Sequence, residues 1–293
     1  MAHDLITNVR SIFNDALQWG TSARMNTLRL ALLSLATLVA LFLGWNILRG
    51  ANRPPETTSA ESREKRASPQ QIAAARHSIE DRIAAAPEYA EFFARLKGAF
   101  PGEYEAFLMR AAGRSAAAGE FGSADALMIE AARALRLSRG VLAAKADGPA
   151  LDHFFGLELA MLQALASKDQ RLCVDFLYGG ANGDFLRFSS EHRDLSAAMV
   201  TAGLDAIHDG QSKKVERDAP SAADFQVLDD ALREKGLGSP EIEALLDGKA
   251  PAPPIEDGRM CRAGEVYLET LATMPEAARL RIYGLALELM ARS

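Results

Sequence analysis

The sequence contains only two cysteines, Cys173 and Cys261, and five histidines among its 293 residues. Neither an HExxH nor a CxxC motif occurs, so no zinc site is expected. The small number of cysteines excludes a disulfide-dense protein, and the composition excludes a collagen-like one. The formal net charge of −6 argues against nucleic-acid binding that depends on overall positive charge. We therefore expect no metal, no cofactor and no nucleic acid.

The sequence also lacks motifs that would identify a reaction. There is no GxSxG nucleophile elbow, and the glycine-rich loop at residues 178–185 has no phosphate-binding lysine. No pair among the 39 acidic residues is singled out as a general acid and base. A non-enzymatic role is therefore favoured over a catalytic one.

What is present is one long apolar run near the N-terminus. Leu30–Leu48 contains nineteen residues without a charge, bounded by Arg29 and Arg49. At about 1.5 Å per residue it spans roughly 28 Å, close to the thickness of the bilayer hydrocarbon. Trp45 lies near one end, where an indole suits the interface. The run predicts a transmembrane helix over residues 29–49; a buried core helix and a cleaved signal peptide are the alternatives.

The segments around this helix have different characters. Ala36, Ala40 and Gly44 recur at every fourth position, a spacing that suits either close helix packing and self-association or a plain lipid-facing surface. Residues 1–20 contain an amphipathic helical pattern that is too short and polar to span a membrane. Residues 50–68 have no large apolar side chain, which predicts a flexible linker.

Residues 69–293 show helical periodicity and no sustained alternation of period two, so this domain is predicted to be all-α. Ser68 and Gln71 form a capping-box pattern, and Ser123, Ser190, Ser221, Ser239 and Thr273 stand where further helices are expected to begin. The predicted later helices cover about 149–166, 169–178, 190–209, 222–235, 240–247, 262–273 and 275–291. The aromatic residues between 89 and 107 are interpreted as the core of a helical hairpin rather than as a ligand box.

Three polar residues define a candidate cleft. His153 and Glu158 lie on the apolar helix predicted over 149–166, and Asp184 lies in the glycine-rich loop. A carboxylate on such a helix needs water, a cation or a raised pKa, although a helix edge that reaches solvent explains Glu158 more simply. His153 is most simply a packed, hydrogen-bonded side chain. A cleft around these residues would fit an envelope hydrolase or a small-ligand receptor.

The compartment of the domain is inferred from the two cysteines and from the expected membrane topology. In an exported domain Cys173 and Cys261 are expected to form a disulfide, whereas in the cytosol they would be small buried hydrophobic residues. Basic residues slightly favour a cytoplasmic C-terminal side, but a short N-terminal tail before a retained apolar segment is typical of a signal anchor. We predict an inner-membrane, single-pass protein with the C-terminal domain in the periplasm of a bacterium.

These patterns favour a non-enzymatic, protein-binding scaffold or accessory subunit of a bacterial envelope assembly. The expected partners are the lipid bilayer and a protein in the membrane or envelope, with self-association through the transmembrane helix as a further option. Residues 1–70 carry 8 basic and 5 acidic residues, and the remainder carries 25 and 34, so the predicted outer domain is acidic. The alternative remains the hydrolase or receptor with the cleft of His153, Glu158 and Asp184.

Overall fold

The structure, a computed structural model, describes residues 67–180, 182–247 and 253–292. Within these ranges every regular element is a helix and there is no strand, which confirms the all-α prediction for the domain. No helix in these ranges is long and apolar enough to cross a membrane. Outside the described residues lie the predicted amphipathic segment 1–20, the transmembrane helix 29–49 with Ala36, Ala40 and Gly44, and the linker 50–68 except for its last two residues.

Twelve α-helices and two short 3₁₀ segments form the described part of the chain. The helices are α1 (Pro69–Ala84), α2 (Ala90–Ala99), α3 (Pro101–Ala118), α4 (Ala124–Arg139), α5 (Gly148–Lys168), α6 (Gln170–Leu177), α7 (Gly183–Glu191), α8 (Arg193–Lys213), α9 (Ala222–Glu234), α10 (Ser239–Asp247), α11 (Asp257–Thr273) and α12 (Glu276–Arg292). The 3₁₀ segments are Pro87–Tyr89 and Gly140–Lys145, and the second was not expected from the sequence.

Several helix starts follow the predicted capping chemistry. Ser68 caps α1, with its hydroxyl 3.2 Å from the backbone nitrogen of Gln71 and its own backbone nitrogen donating to the Gln71 side chain at 2.7 Å. Ser123 and Ser221 likewise cap α4 and α9, and Ser221 forms a reciprocal capping box with Asp224. These side chains satisfy backbone N–H groups that have no partner within the helix, which is why the start positions were predictable.

The loop predicted over 178–185 ends earlier than expected, because a helix begins at Gly183, and the helix predicted over 190–209 begins instead at Arg193. The chain instead forms α7 and α8, with a break at His192. Asn182 caps α7 by accepting hydrogen bonds from the backbone nitrogens of Asp184 and Phe185. The Ser190 hydroxyl donates to the carbonyl oxygen of Arg187 within α7 and so does not cap the next helix.

Two other predicted starts also differ from the structure. Helix α11 begins at Asp257 rather than at residue 262, because the Glu256 carboxylate accepts hydrogen bonds from the first backbone nitrogens. Thr273, expected to begin the last helix, is the final residue of α11, where its hydroxyl donates to the carbonyl oxygen of Thr270. A hydroxyl that bonds to the preceding turn cannot cap the helix that follows.

Helix α5 is the central element, and it packs against α6, α8, α11 and α12. Leu151, Leu162 and Leu165 on this helix are fully buried, and each contributes roughly 2 kcal/mol through removal of apolar surface from water. The interpretation of the aromatic residues as a hairpin core is confirmed, since all six of them are buried: Tyr89, Phe92, Phe93, Phe100, Tyr104 and Phe107. Polar side chains of α2, α5 and α8 line a cavity between these helices.

Candidate functional site

The predicted disulfide is present. Cys173 on α6 and Cys261 on α11 are bonded, with their Cα atoms 5.7 Å apart, and both are buried. They lie in a small apolar core with Leu162, Val174 and Met260. The bond therefore links α6 covalently to α11, and these two helices also pack against each other.

A polar cavity of about 370 Å³ lies between the first 3₁₀ segment, α2, α5 and α8. We call it the acidic cavity. Its lining residues are Glu88, Glu91, Arg95, His153, Asp194, Ala197, Ala198, Thr201, Ala202 and Asp205. The three alanines come from α8, where Ala197 and Ala202 are buried and Ala198 is exposed, so small side chains line the cavity on that helix.

Helical spacing explains why these side chains converge. Glu88, Glu91 and Arg95 follow intervals of three and four residues, as do Asp194, Ala198 and Asp205 along α8 with Thr201 between them. Residues at such intervals share one face of a helix. Because α2 packs beside α8, the two polar faces meet.

Arg95 on α2 links two carboxylates of the acidic cavity, Glu91 on its own helix and Asp205 on α8. Its guanidinium donates to both carboxylate oxygens of Asp205 at 2.6 Å and to Glu91 at 2.6 Å. The hydrogen bond that Arg95 donates to Asp205 is the main reason that the pKa of Arg95 is raised, and the bond to Glu91 adds to it. One cation therefore neutralises part of the charge of two carboxylates.

A buried network lies behind the cavity wall. Asp125 accepts a hydrogen bond from the Tyr89 hydroxyl at 2.7 Å and two from Arg193, at 2.8 and 3.1 Å. Burial alone would raise the pKa of Asp125, but the bonds from Arg193 and Tyr89 outweigh it, so that the pKa falls below its ordinary value. Burial and the nearby carboxylate raise the pKa of Tyr89 well above its usual range. Asp125 is thus an ionised buried group with well-placed donors.

Glu88 connects this network to the cavity. Its Oε1 atom lies 3.9 Å from Nη1 of Arg193, beyond hydrogen-bond distance. Its Oε2 atom is buried and has no hydrogen-bond partner among the described residues. The Glu88 side chain as a whole is 30% exposed, so solvent reaches other atoms of this side chain while Oε2 itself is covered by the protein.

Neither of the two cavities described here is lined by all three residues of the predicted cleft. His153 lines the acidic cavity and is exposed, so the interpretation of it as a packed core histidine is wrong. Glu158 is half-buried on another face of α5, where burial raises its pKa to about 7 and Arg136 partly opposes this. Asp184 is exposed in the first turn of α7 and pairs with Arg187 at 2.7 Å.

A second, smaller cavity of about 160 Å³ lies against another face of α5. Phe155 and Tyr283 stack at its wall, with ring centroids 3.8 Å apart. Arg279 bonds to both carboxylate oxygens of Asp152 at 2.8 and 3.0 Å at its edge. The two charged residues of its lining, Asp152 and Arg279, are therefore paired with each other.

Sequence reasoning missed most of the acidic cavity. Of its lining residues only His153 was singled out, although the intervals of Glu88, Glu91 and Arg95 were visible in the sequence. Among the described residues, no group of three or more His, Cys, Asp or Glu side chains is arranged to hold a metal ion. What is present is a cavity lined by carboxylates and small side chains, in which Arg95 bonds to two of the carboxylates, Glu91 and Asp205.

No family model matches the chain, and neither a curated protein nor a solved structure shows significant similarity to it.

Proposed function

We propose that the chain is a single-pass inner-membrane protein that presents its helical domain in the bacterial periplasm and binds a protein partner there. In this proposal residues 29–49 are the anchor, residues 50–68 the linker, and the helical domain the binding module of a scaffold or accessory subunit. The observation that carries it is the buried disulfide between Cys173 and Cys261.

The disulfide supports the location. Disulfides persist in oxidising compartments and are rare in the cytosol, where thiols are kept reduced. An apolar run of nineteen residues close to the N-terminus would retain such a domain at the membrane. Together these two features favour the N-terminus inside and the domain outside, against the slight excess of basic residues after the run.

Exposed apolar side chains support partner binding. Leu137 and Val141 are 52% and 47% exposed and lie one turn apart at the end of α4 and the start of the second 3₁₀ segment. Gly140 between them packs against Ala291, which places the end of α12 beside this turn, and Leu289 there is also exposed. Apolar surface of this kind is a common component of protein interfaces.

A topology experiment tests the location. Reporters that are active only in the cytoplasm or only in the periplasm are fused after Ser293, and thiols of the denatured protein are labelled with and without prior reduction. We expect periplasmic activity, and labelling only after reduction. The Cys173→Ser/Cys261→Ser variant is the control for labelling. Cytoplasmic activity together with two freely reactive thiols would contradict the proposed location.

Photo-crosslinking in intact cells tests the binding function. A photoreactive amino acid is placed at Val141, Tyr178 and Val227, which are exposed, and at Leu151, which is buried. We expect a discrete adduct with a second protein from at least one exposed position and none from Leu151. Adducts absent from every exposed position would contradict a protein-binding role.

A further inference from the structure

Three exposed apolar side chains lie together where α4 and α12 end, and we call Leu137, Val141 and Leu289 the apolar patch. The Arg136 guanidinium donates to the carbonyl oxygen of Met290 at 3.2 Å, which holds the end of α12 against α4. Leu137 and Val141 are one turn apart. Apolar side chains with this spacing form a ridge of the kind against which a second helix packs.

Two arginines at this patch have no carboxylate partner. Arg133 is exposed, four residues before Leu137, and has neither an ion pair nor a side-chain hydrogen bond among the described residues. Arg136 bonds to the Met290 carbonyl, and its pKa is lowered by burial and then by the charge of Arg133. Glu158 attracts Arg136 electrostatically, but no hydrogen bond joins the two side chains. Neither arginine therefore has its charge neutralised by a bonded carboxylate.

The absence of these partners is not caused by a shortage of carboxylates. Residues 71–293 carry 34 acidic and 25 basic residues. Neighbouring arginines are paired, since Arg139 bonds to Glu103 at 2.5 Å and Arg292 lies 3.5 Å from Glu288. Two arginines without carboxylates beside exposed apolar side chains are complementary to a surface that is both acidic and apolar.

The apolar patch lies at the end of the domain where the chain enters α1. Arg76 in α1 bonds to Glu105 near the beginning of α3 at 2.7 Å. Arg82, later in α1, lies over the ring of Phe121 beyond the end of α3, 5.3 Å from its centroid, so both helices run in the same direction. The last residue of α4 bonds to the beginning of α3. The beginning of α1 and the apolar patch are therefore at the same end of α3.

This location limits where a partner can reach the patch. In the proposed function, residues 50–68 are the linker between the anchor and this end of the domain, and a flexible chain of nineteen residues spans about 25 Å on average. A partner that binds the patch therefore contacts it near the membrane surface, which favours an integral membrane protein. A lipid surface is the other candidate there, but anionic headgroups repel a domain with an excess of carboxylates.

We propose that the apolar patch binds an amphipathic helix of an integral membrane partner, whose apolar side chains pack on the patch and whose carboxylates bond to Arg133 and Arg136. This inference rests on the proposed function, because it names the kind of partner that the domain binds. Helices of this type dock through apolar residues three and four positions apart, and their flanking charges select the partner and its orientation. Because the arginines are near the surface, the contact weakens as the salt concentration rises.

Peptide binding to the full-length protein in phosphatidylcholine nanodiscs tests the proposal. The probe is a labelled helical peptide with a stripe of leucines flanked by glutamates, and the matched control peptide has glutamine at each glutamate. Fluorescence polarisation, corrected for binding to empty nanodiscs, is expected to give an affinity about tenfold higher for the glutamate peptide. Equal affinities would overturn the proposal. A fluorophore on Leu137→Cys whose emission shifts to the blue when phosphatidylglycerol is added to the nanodiscs would also overturn it, in favour of a lipid surface.

Variants locate the contact. Arg133→Gln and Arg136→Gln are each expected to weaken binding of the glutamate peptide about fivefold. Leu137→Glu is expected to abolish it, and because Leu137 is exposed the substitution leaves the core intact. Arg187→Gln and Val227→Glu, at exposed positions elsewhere, are the matched controls and should leave binding unchanged. Unchanged binding in Arg133→Gln and Leu137→Glu, with normal circular dichroism, would overturn the proposal even if Arg136→Gln misfolds.

The same variants separate this inference from the proposed function in cells. Photo-crosslinking from Leu137 is expected to give an adduct with a protein that needs detergent for extraction, and this adduct should disappear in Arg133→Glu and persist in Arg187→Gln. An adduct from Leu137 with a protein that is extracted without detergent would overturn the membrane partner. If adducts form only from Tyr178 or Val227, the protein-binding function stands and the contact at the apolar patch is wrong. If no exposed position forms an adduct, the proposed function is wrong and this inference with it.

Discussion

Cys173 and Cys261 are 88 positions apart in the sequence, and their Cα atoms lie 5.7 Å apart across the interface of α6 and α11. A cross-link over a loop of this length restricts the unfolded chain strongly, and the loop-closure model gives a stabilisation of about 4.6 kcal/mol. Both sulfur atoms are surrounded by apolar side chains of the smaller core. The bond therefore affects the stability of the domain more than the chemistry of its surface.

Removal of the disulfide is the first prediction. Cys173→Ala/Cys261→Ala should lower the free energy of unfolding by about 4.6 kcal/mol, measured by urea unfolding of the full-length protein followed by far-ultraviolet circular dichroism. Reductant should lower the stability of the wild type to that of the variant and leave the variant unaffected. A variant as stable as the oxidised wild type would show that the cross-link does not restrict the unfolded state.

The network at Asp125 leads to the second prediction. Asp125→Ala removes the acceptor of Tyr89 and Arg193 and should cost about 2 kcal/mol, because the buried Tyr89 hydroxyl loses its acceptor and the partly exposed Arg193 guanidinium loses its partner. Tyr89→Phe should cost about 1 kcal/mol, and the double variant should cost less than the sum. Asp184→Ala, which removes an exposed ion pair, is the control and should cost well under 1 kcal/mol. Equal costs for Asp125→Ala and Asp184→Ala would contradict the importance of the network.

Local signals account for what the sequence predicted correctly. Ser68, Ser123 and Ser221 precede helices whose first backbone nitrogens they cap, and that chemistry involves only neighbouring residues. Ser190 carries the same signal, but its hydroxyl bonds back to Arg187, because the helix before it continues through this position. Burial of Phe188 extends α7 through Ser190, and burial depends on contacts with other helices.

Prediction of the acidic cavity would require knowledge of the tertiary structure even more than prediction of the helix ends does. The intervals of Glu88, Glu91 and Arg95 predict one polar helix face, but such a face is usually solvated. Only the packing of α2 beside α8 brings Asp205 to Arg95, 110 positions away in the sequence. No periodic pattern encodes that pairing. The disulfide was predictable for a different reason, since two cysteines allow a single pairing.

A close helix contact provides the third prediction. Gly210 on α8 packs against the backbone of Leu142 and Ala146, so that a Cβ atom at this position would overlap the Leu142 carbonyl oxygen. Gly210→Ala should therefore cost at least about 2 kcal/mol, since backbone atoms must move. Gly113→Ala on α3 is the matched control, because nothing lies within 4 Å of the added Cβ. It should stabilise the protein by roughly 0.5–1 kcal/mol through helix propensity. Similar effects from the two substitutions would contradict the close approach of α8 to the 3₁₀ segment.

The pH dependence of stability tests the environment of Glu158. Burial raises its pKa in the folded state from 4.5 to about 7, and Arg136 offsets only part of this. The folded state therefore binds a proton more tightly than the unfolded state does. Its unfolding free energy should fall as the pH rises from about 4.5 to about 7, by on the order of 3 kcal/mol from this group, and no further above that range.

Glu158→Gln separates this contribution from those of the other carboxylates. Glutamine keeps the shape and cannot ionise, so the variant should be more stable than the wild type at about pH 8 and nearly equal to it at about pH 4.5. Urea unfolding at several pH values checks this, with Glu120→Gln, an exposed position, as the control that should follow the wild type at every pH. Because desolvation of the charge is the cause, addition of salt should change the difference little. If Glu158→Gln also follows the wild type at every pH, Glu158 is solvated in the folded domain and its pKa is not raised.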